Sequence, residues 1–390
     1  MELPVTSRHA IRLLLILLVA TITLGAQATP SLSAEAIAKI DAVVAAEMAR
    51  QKLPGLTIAA AFRDRMIYSN TYGSADLEHG VPVKATTAFR TASVAKPLTA
   101  TAVMDLVEAG AIDLDSPVRT YCAAWPEKHP SITLRQVLGH LAGIRHYTRR
   151  GESAGKTHYF SLGDALALFK DDPLLHEPGV KYLYTTYGYS LAGCAIEGAS
   201  GKSYEAFMRD RVFARAGMTH TRLDRIYEVI PDRARGFQIL TQPTFDSLPA
   251  AVRGFATVGA VYNADLHDTS MKVPGGGLVS TAEDLVRFGI ALNSGALLKK
   301  TTVEQMWTGQ KDADGKGTGY GLGFGVSPAQ EGIRRLSHSG NQAGAASLLV
   351  ILPEVGVTYA IMTNLEDAEL GPISRGLADA MRDSLMARRP

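Results

Sequence analysis

With 390 residues, 46% of them hydrophobic and 20% charged, the chain carries enough apolar material for a large core and has none of the composition of a disordered protein. A formal charge of +2, without a Lys/Arg stripe able to track phosphates, excludes an electrostatic case for a nucleic-acid partner. There is no internal repeat, and beyond the N-terminus no stretch is apolar for long enough to cross a membrane.

The N-terminus has the pattern of an export signal. Arg8, His9 and Arg12 precede the apolar run Leu13 to Leu24, which is short for a membrane span, and Ala26-Gln27-Ala28 offers a small-residue cleavage site. Residues 1–28 are therefore expected to be removed, and a mature chain of 29–390 to reside in the periplasm or be secreted. The two cysteines, Cys122 and Cys194, could pair in such an oxidising compartment or sit as buried small hydrophobes; the sequence leaves both open.

Helical spacing of Ile37, Ile40, Val43, Val44 and Met48 marks a helix over 34–51, ended by Pro54-Gly55. Two strand-like runs follow, Leu56 to Phe62 and Met66 to Tyr72, joined as a hairpin by Arg63-Asp64-Arg65. Residues 98–109 read as a helix stopped by Gly110. The middle of the chain, to about residue 265, reads as helix and loop, including a helical run from Tyr187 to Gly201. Ser280-Thr281-Ala282-Glu283 has the form of a capping box ahead of Leu285, Phe288 and Leu292. Six glycines between Gly315 and Gly325 suggest a flexible loop leading into a strand; they match no phosphate-binding string. Two β-rich runs, Ala346 to Leu352 and Val357 to Met362, precede a last helix from about Ile373 to Met386.

Strands thus lie at both ends of the chain with helices between. The order predicts an α+β fold: an antiparallel sheet built from both termini and flanked by helices, with a mainly helical lobe inserted. The sheet lobe is expected over about 29–76 and 268–390, and the helical lobe over about 77–267.

Ser-x-x-Lys occurs twice, as Ser93-Val94-Ala95-Lys96 and as Ser153-Ala154-Gly155-Lys156. Ser93 opens an apolar helical run. Positions three apart share a helix face, so the Lys96 amine can reach the Ser93 hydroxyl, and the positive end of the helix favours a developing alkoxide. A lysine buried there loses its charge and can accept the serine proton. Ser153 sits between Gly151 and Gly155 after Arg149-Arg150, where nothing would hold a nucleophile and a base in register. It also completes a G-x-S-x-G string, but without the buried strand and following helix that a nucleophile elbow needs. Ser93 is the better nucleophile.

Acyl transfer also needs a proton donor for the leaving group and N–H donors for the oxyanion. Tyr184, in Tyr184-Thr185-Thr186, is the candidate acid and base; a nearby lysine would favour its phenolate. In His338-Ser339-Gly340, the glycine would let a substrate lie close to a strand backbone. The backbone N–H groups of Ser93 and Asn341 are the candidate oxyanion hole. His140 and His146 lack a carboxylate at ligand spacing, so no metal site is expected.

The order Ser93-x-x-Lys96, then Tyr184, then His338-x-Gly340 resembles the β-lactamase-related serine hydrolases: class C β-lactamases, D-alanyl-D-alanine carboxypeptidases, D-aminopeptidases and family VIII esterases. Leu138 to Tyr147, Tyr184 to Gly201 and Pro274 to Thr281 also fit, most like the branch of the mitochondrial serine β-lactamase-like protein. The resemblance implies Ser93 as nucleophile, Lys96 and Tyr184 as its acid/base pair, and no metal or organic cofactor. It implies His338 in place of the lysine that meets a substrate carboxylate, with Thr186, Ser339 and Gly340 binding substrate. Thr186 replaces an asparagine of many members, and His338 replaces a permanent cation, so efficient β-lactam hydrolysis is not expected. The expected activity is a serine peptidase or esterase acting on a peptide or small-molecule substrate. β-Lactamase or carboxypeptidase activity is the first alternative. A non-catalytic envelope protein that keeps the pocket is an alternative of another class.

Overall fold

The computed structural model describes residues 31–148, 152 and 155–386. The expected signal segment 1–28 and the second serine candidate, Ser153, lie outside the described residues.

The first helix, α1 (Ala34–Gln51), starts where Ser33 accepts a hydrogen bond from the Ala36 N–H at 3.1 Å, and it ends on Lys52 in the left-handed conformation. Strands β1 (Gly55–Phe62) and β2 (Arg65–Asp76) form the expected hairpin, followed by the short β3 (Val81–Pro82) and β4 (Phe89–Arg90). Helices α2 (Ala95–Glu108) and α3 (Tyr187–Ser200) come next. The central segment also holds short strands: β5 (Arg222–Leu223), β6 (Phe237–Ile239), β7 (Val261–Asn263) and β8 (Leu278–Ser280). Helix α4 (Ala282–Ser294) leads to β9 (Gly325–Gln330), β10 (Ile333–Gln342), β11 (Ala345–Leu352) and β12 (Val357–Thr363), and α5 (Gly371–Met386) closes the chain.

The main sheet has the order β3-β2-β1-β12-β11-β10-β9, with every neighbour antiparallel. The first and last parts of the chain meet at its centre, where Ile58 of β1 lies opposite Ile361 of β12. Period-two alternation sends the two side-chain sets to different cores. Leu56, Ile58, Ala60, Leu348, Val350 and Ile361 face α1 and α5, whereas Ala59, Ala61, Leu336, Leu349 and Met362 face α4 and the helical region. The mixed architecture read from the strand and helix order is the one observed.

Three local expectations change. Helix α4 is capped by Thr281, whose hydroxyl accepts from the Asp284 N–H at 3.1 Å; Ser280 ends β8 and is buried, its hydroxyl 2.7 Å from that of Thr221. The stretch holding His338 is itself a strand, β10, because alternation from Leu336 to Gln342 buries every second residue. The glycine-rich loop is not loose: Tyr320, Leu322 and Phe324 are buried, and a side chain at Gly323 would meet the Ala100 methyl of α2. The glycines let the loop lie flat on that helix.

Cys122 and Cys194 are joined by a disulfide, their Cα atoms 5.4 Å apart. It ties the segment before Trp125 to α3, the helix that Thr186 begins.

Candidate active site

Helix α2 is apolar nearly all round and is buried from Ala95 to Leu106, as expected of a helix running through a core. Its approach is the 3-10 turn Ala92–Val94, so Ser93 stands just before the α-helix rather than in it. Ala92 has φ +45°, a left-handed conformation that is costly for a residue with a side chain, and this sharp entry leaves the Ser93 hydroxyl partly accessible beside a sealed interior.

Lys96 is completely buried. Its Nζ lies 2.8 Å from Gly275 O, 3.1 Å from Thr186 Oγ1 and 3.0 Å from Ser93 Oγ. Burial, with the nearby Lys272 amine adding repulsion, lowers its pKa well below the ordinary lysine value. A neutral amine has two N–H bonds and one lone pair. With the two N–H groups donated to Gly275 O and Thr186 Oγ1, the lone pair faces the Ser93 hydroxyl. Thr186 therefore holds the lysine, and its hydroxyl is not a free substrate contact as the resemblance implied.

Tyr184 completes the group. Its ring centroid is 4.9 Å from Lys96 Nζ. Burial raises the phenol's pKa, and the Ser93 hydroxyl opposes this only in part. Burial therefore works against the expected phenolate and favours the neutral phenol. Two histidines hold the tyrosine segment. His140 Nδ1 accepts from the Thr185 N–H at 3.2 Å and its ring lies 4.4 Å from that of Tyr184; His146 Nδ1 accepts from the Thr186 N–H at 3.4 Å. Burial lowers both, His146 to about 4, so both keep the lone pair this needs. Sequence spacing alone gave these histidines no role.

His338 faces the same interior but has no free nitrogen. Its Nδ1 donates to Ser339 O at 2.7 Å, and its Nε2 accepts from the Tyr320 hydroxyl at 2.9 Å. Burial first, then Lys96, lowers its pKa to about 3. It is a neutral, pinned ring and not a cation awaiting a carboxylate. Tyr320 was hidden within the glycine-rich loop; it is the one tyrosine among the alternating glycines, and that was the available signal.

The outer edge of β10 is covered by β9 only as far as Ser337, so over 338–342 it has no strand partner among the described residues. Gly340 is needed there for a reason other than substrate approach: a Cβ would meet Thr91 O at 2.5 Å and the Ala92 Cβ at 2.9 Å. The nucleophile's own turn lies against the strand, further fixed by Ser347 Oγ donating to Thr91 O at 2.5 Å. The side chains of Ser339 and Asn341 alternate to the opposite face. Ser339 is exposed, and Asn341 is bonded to Asp367, including a 2.9 Å bond from the Asp367 N–H. Only their backbone groups are left for the Ser93 side.

Among the described residues, one set of three potential metal ligands comes together, the surface group Asp76, Glu78 and His79. It lies in the turn after β2, where Asp76 and His79 already bond each other at 2.9 Å. Nothing near Ser93 forms such a set.

The Beta-lactamase family model matches residues 40–380. The chain is 29% identical to the mitochondrial serine beta-lactamase-like protein of Homo sapiens, over 77% of this chain and 69% of that protein. It is 26% identical to esterase EstB of Burkholderia gladioli, over 90% and 96% respectively. Its fold superposes on the D-amino acid amidase of Ochrobactrum anthropi with a TM-score of 0.75 at 22% identity, covering 90% of this chain and 99% of the amidase. The chain therefore belongs to the Beta-lactamase family and is one of its serine hydrolases.

Proposed function

We propose that this enzyme hydrolyses peptide amides or esters through an acyl-enzyme on Ser93, with selectivity for uncharged leaving groups. The observation that carries this reading is the completely buried Lys96 Nζ, 3.0 Å from Ser93 Oγ, in surroundings that lower its pKa well below the ordinary lysine value. Lys96 takes the hydroxyl proton as Ser93 attacks the carbonyl carbon. The backbone N–H groups of Ser93 and Asn341 receive the oxyanion. Collapse breaks the bond to the leaving group, which takes its proton from Tyr184, and the proton held on Lys96 replenishes the phenol. Water then repeats the sequence on the ester to free Ser93.

The neutral, doubly bonded His338 argues against a carboxypeptidase or antibiotic-hydrolysing role, because both reactions present a carboxylate where His338 stands. The names of the esterase and amidase relatives agree with ester or amide chemistry. Export to the periplasm is part of the proposal, supported by the N-terminal pattern and the disulfide.

A fluorophosphonate probe followed by peptide mass spectrometry tests the nucleophile. Labelling of Ser93, absent in Ser93→Ala, is expected. Well-folded protein that stays unlabelled would sink the reading and favour a binding role.

A further inference from the structure

The short helix Leu134–Leu138 ends in a motif whose left-handed residue is most often glycine. The Leu141 N–H donates to Gln136 O at 2.7 Å and the His140 N–H to Val137 O at 3.3 Å. That arrangement puts His140 at the left-handed position, with φ +60°. The glycine beside it, Gly139, keeps an ordinary φ of −87°. Histidine tolerates the left-handed region better than most residues, but it is strained there where glycine is not.

A second cost accompanies the first. The imidazole is completely buried, and its Nδ1 accepts from the Thr185 N–H at 3.2 Å. The ring proton is therefore on Nε2, which has no hydrogen-bond partner among the described residues. It is left among the rings of Tyr184, Tyr320 and Tyr189, whose centroids lie 4.4, 4.7 and 5.4 Å from that of the imidazole. A glycine at 140 would avoid both the backbone strain and the orphaned N–H.

What offsets these costs is the use made of the residue's two acceptors. The Leu183 N–H donates to His140 O at 2.8 Å, and the Thr185 N–H donates to Nδ1. The amides on either side of Tyr184 are thus both held by one residue. The left-handed turn is what brings its backbone carbonyl and its ring to the same short segment. The place of the Tyr184 hydroxyl follows from this backbone and from the packing of its ring on the imidazole.

We infer that His140 is the positioning residue for the leaving-group acid: by bracketing Tyr184 it holds the phenol where the departing oxygen or nitrogen takes its proton. The inference rests on the acyl-enzyme reading for the role of Tyr184. A leaving group that is stable as an anion departs without a proton and gains little from the phenol, whereas a strongly basic one needs it. Loss of the bracket is therefore felt in proportion to the basicity of the leaving group.

The test compares two esters of one acyl group, 4-nitrophenyl butanoate and ethyl butanoate, through kcat/KM, which reports acylation for both. His140→Leu removes the acceptor ring. It is expected to lower the value for the ethyl ester about tenfold or more, and that for the nitrophenyl ester by no more than about threefold. His140→Asn should restore most of the loss, because its amide oxygen branches from Cγ as Nδ1 does and asparagine suits a left-handed backbone. Hydrogen exchange over 182–186 reads the bracket without turnover: faster in His140→Leu, close to wild type in His140→Asn. Circular dichroism reports folding, and His140→Gly, free of the backbone strain, serves if His140→Leu does not fold. Equal losses on the two esters, no rescue by asparagine, or exchange unchanged in the leucine and glycine variants would overturn the positioning role. Wild-type protein that turns over neither ester counts against it too, and probe labelling of Ser93 then shows which part fails. Labelled protein loses the leaving-group role of Tyr184 and His140; unlabelled protein loses the acyl-enzyme itself.

Discussion

The Tyr320 hydroxyl donates to His338 Nε2 at 2.9 Å, and this bond fixes what the site can recognise. With Nδ1 donating to Ser339 O, the ring holds one tautomer and offers a substrate neither a proton nor a charge. A leaving group ending in a carboxylate therefore gains nothing from position 338.

For a matched pair of peptides whose leaving residue carries a free carboxylate or its amide, kcat/KM is expected to agree within about threefold. His338→Lys should shift the ratio toward the free acid by about tenfold, the scale of one charge-assisted hydrogen bond. A wild-type enzyme that prefers the free acid by tenfold would contradict the reading of this ring.

Lys96→Arg keeps a long basic side chain but replaces a titratable amine with a guanidinium that stays protonated. It is expected to lose about 10²–10⁴ in kcat, the range for removal of a general base. Thr186→Val removes one of the two acceptors that orient the amine. We expect kcat to fall about tenfold with KM little changed, and Thr186→Ser to restore most of it. If Thr186→Val raised KM alone, Thr186 would be a substrate contact instead.

Gly340→Ala places a methyl 2.5 Å from Thr91 O. The carbonyl it meets is backbone and cannot swing aside as a side chain would, and Ser347 Oγ lies equally close. A loss of about 1–3 kcal/mol in urea unfolding is expected, with weaker Ser93 labelling because the turn beside it must shift. A variant with wild-type stability and labelling would show that the turn moves freely.

Burial lowers the pKa of His140, His146, His267 and His338 from 6.5; the last three fall to about 4, 3 and 3. The unfolded chain binds their protons near 6.5 while the folded protein does not. Stability from these groups is thus present above 6.5 and is lost as pH falls toward 4, by up to about 1.4 kcal/mol per pH unit for each histidine. Urea unfolding at pH 7 and pH 5 should show the decline, and His146→Gln should reduce its slope. Equal stability at the two values would mean that these histidines take up protons without cost.

The acid–base logic was legible before any coordinates. Three-residue spacing on a helix start brings Ser93 and Lys96 together through local geometry alone, and the strand and helix order implied the sheet built from both termini. The hairpin β1–β2, β11 and β12 were visible because their alternation and turns are local signals. β10 was not, since Arg334, Arg335, Ser337, His338, Ser339 and Asn341 mask its one buried face.

What only the tertiary structure decided is charge and use. Whether Lys96 is neutral, whether Tyr184 is a phenol or a phenolate, and whether His338 is a cation all depend on burial by segments up to hundreds of residues away. Thr186 turned from a substrate contact into a holder of Lys96 because Gly275 comes to the amine's other side. Tyr320 gained a role because glycines let its loop lie on α2. Residue spacing specifies which groups can meet; the solvent excluded around them, and the partners that distant segments supply, set their protonation and the bonds they have left.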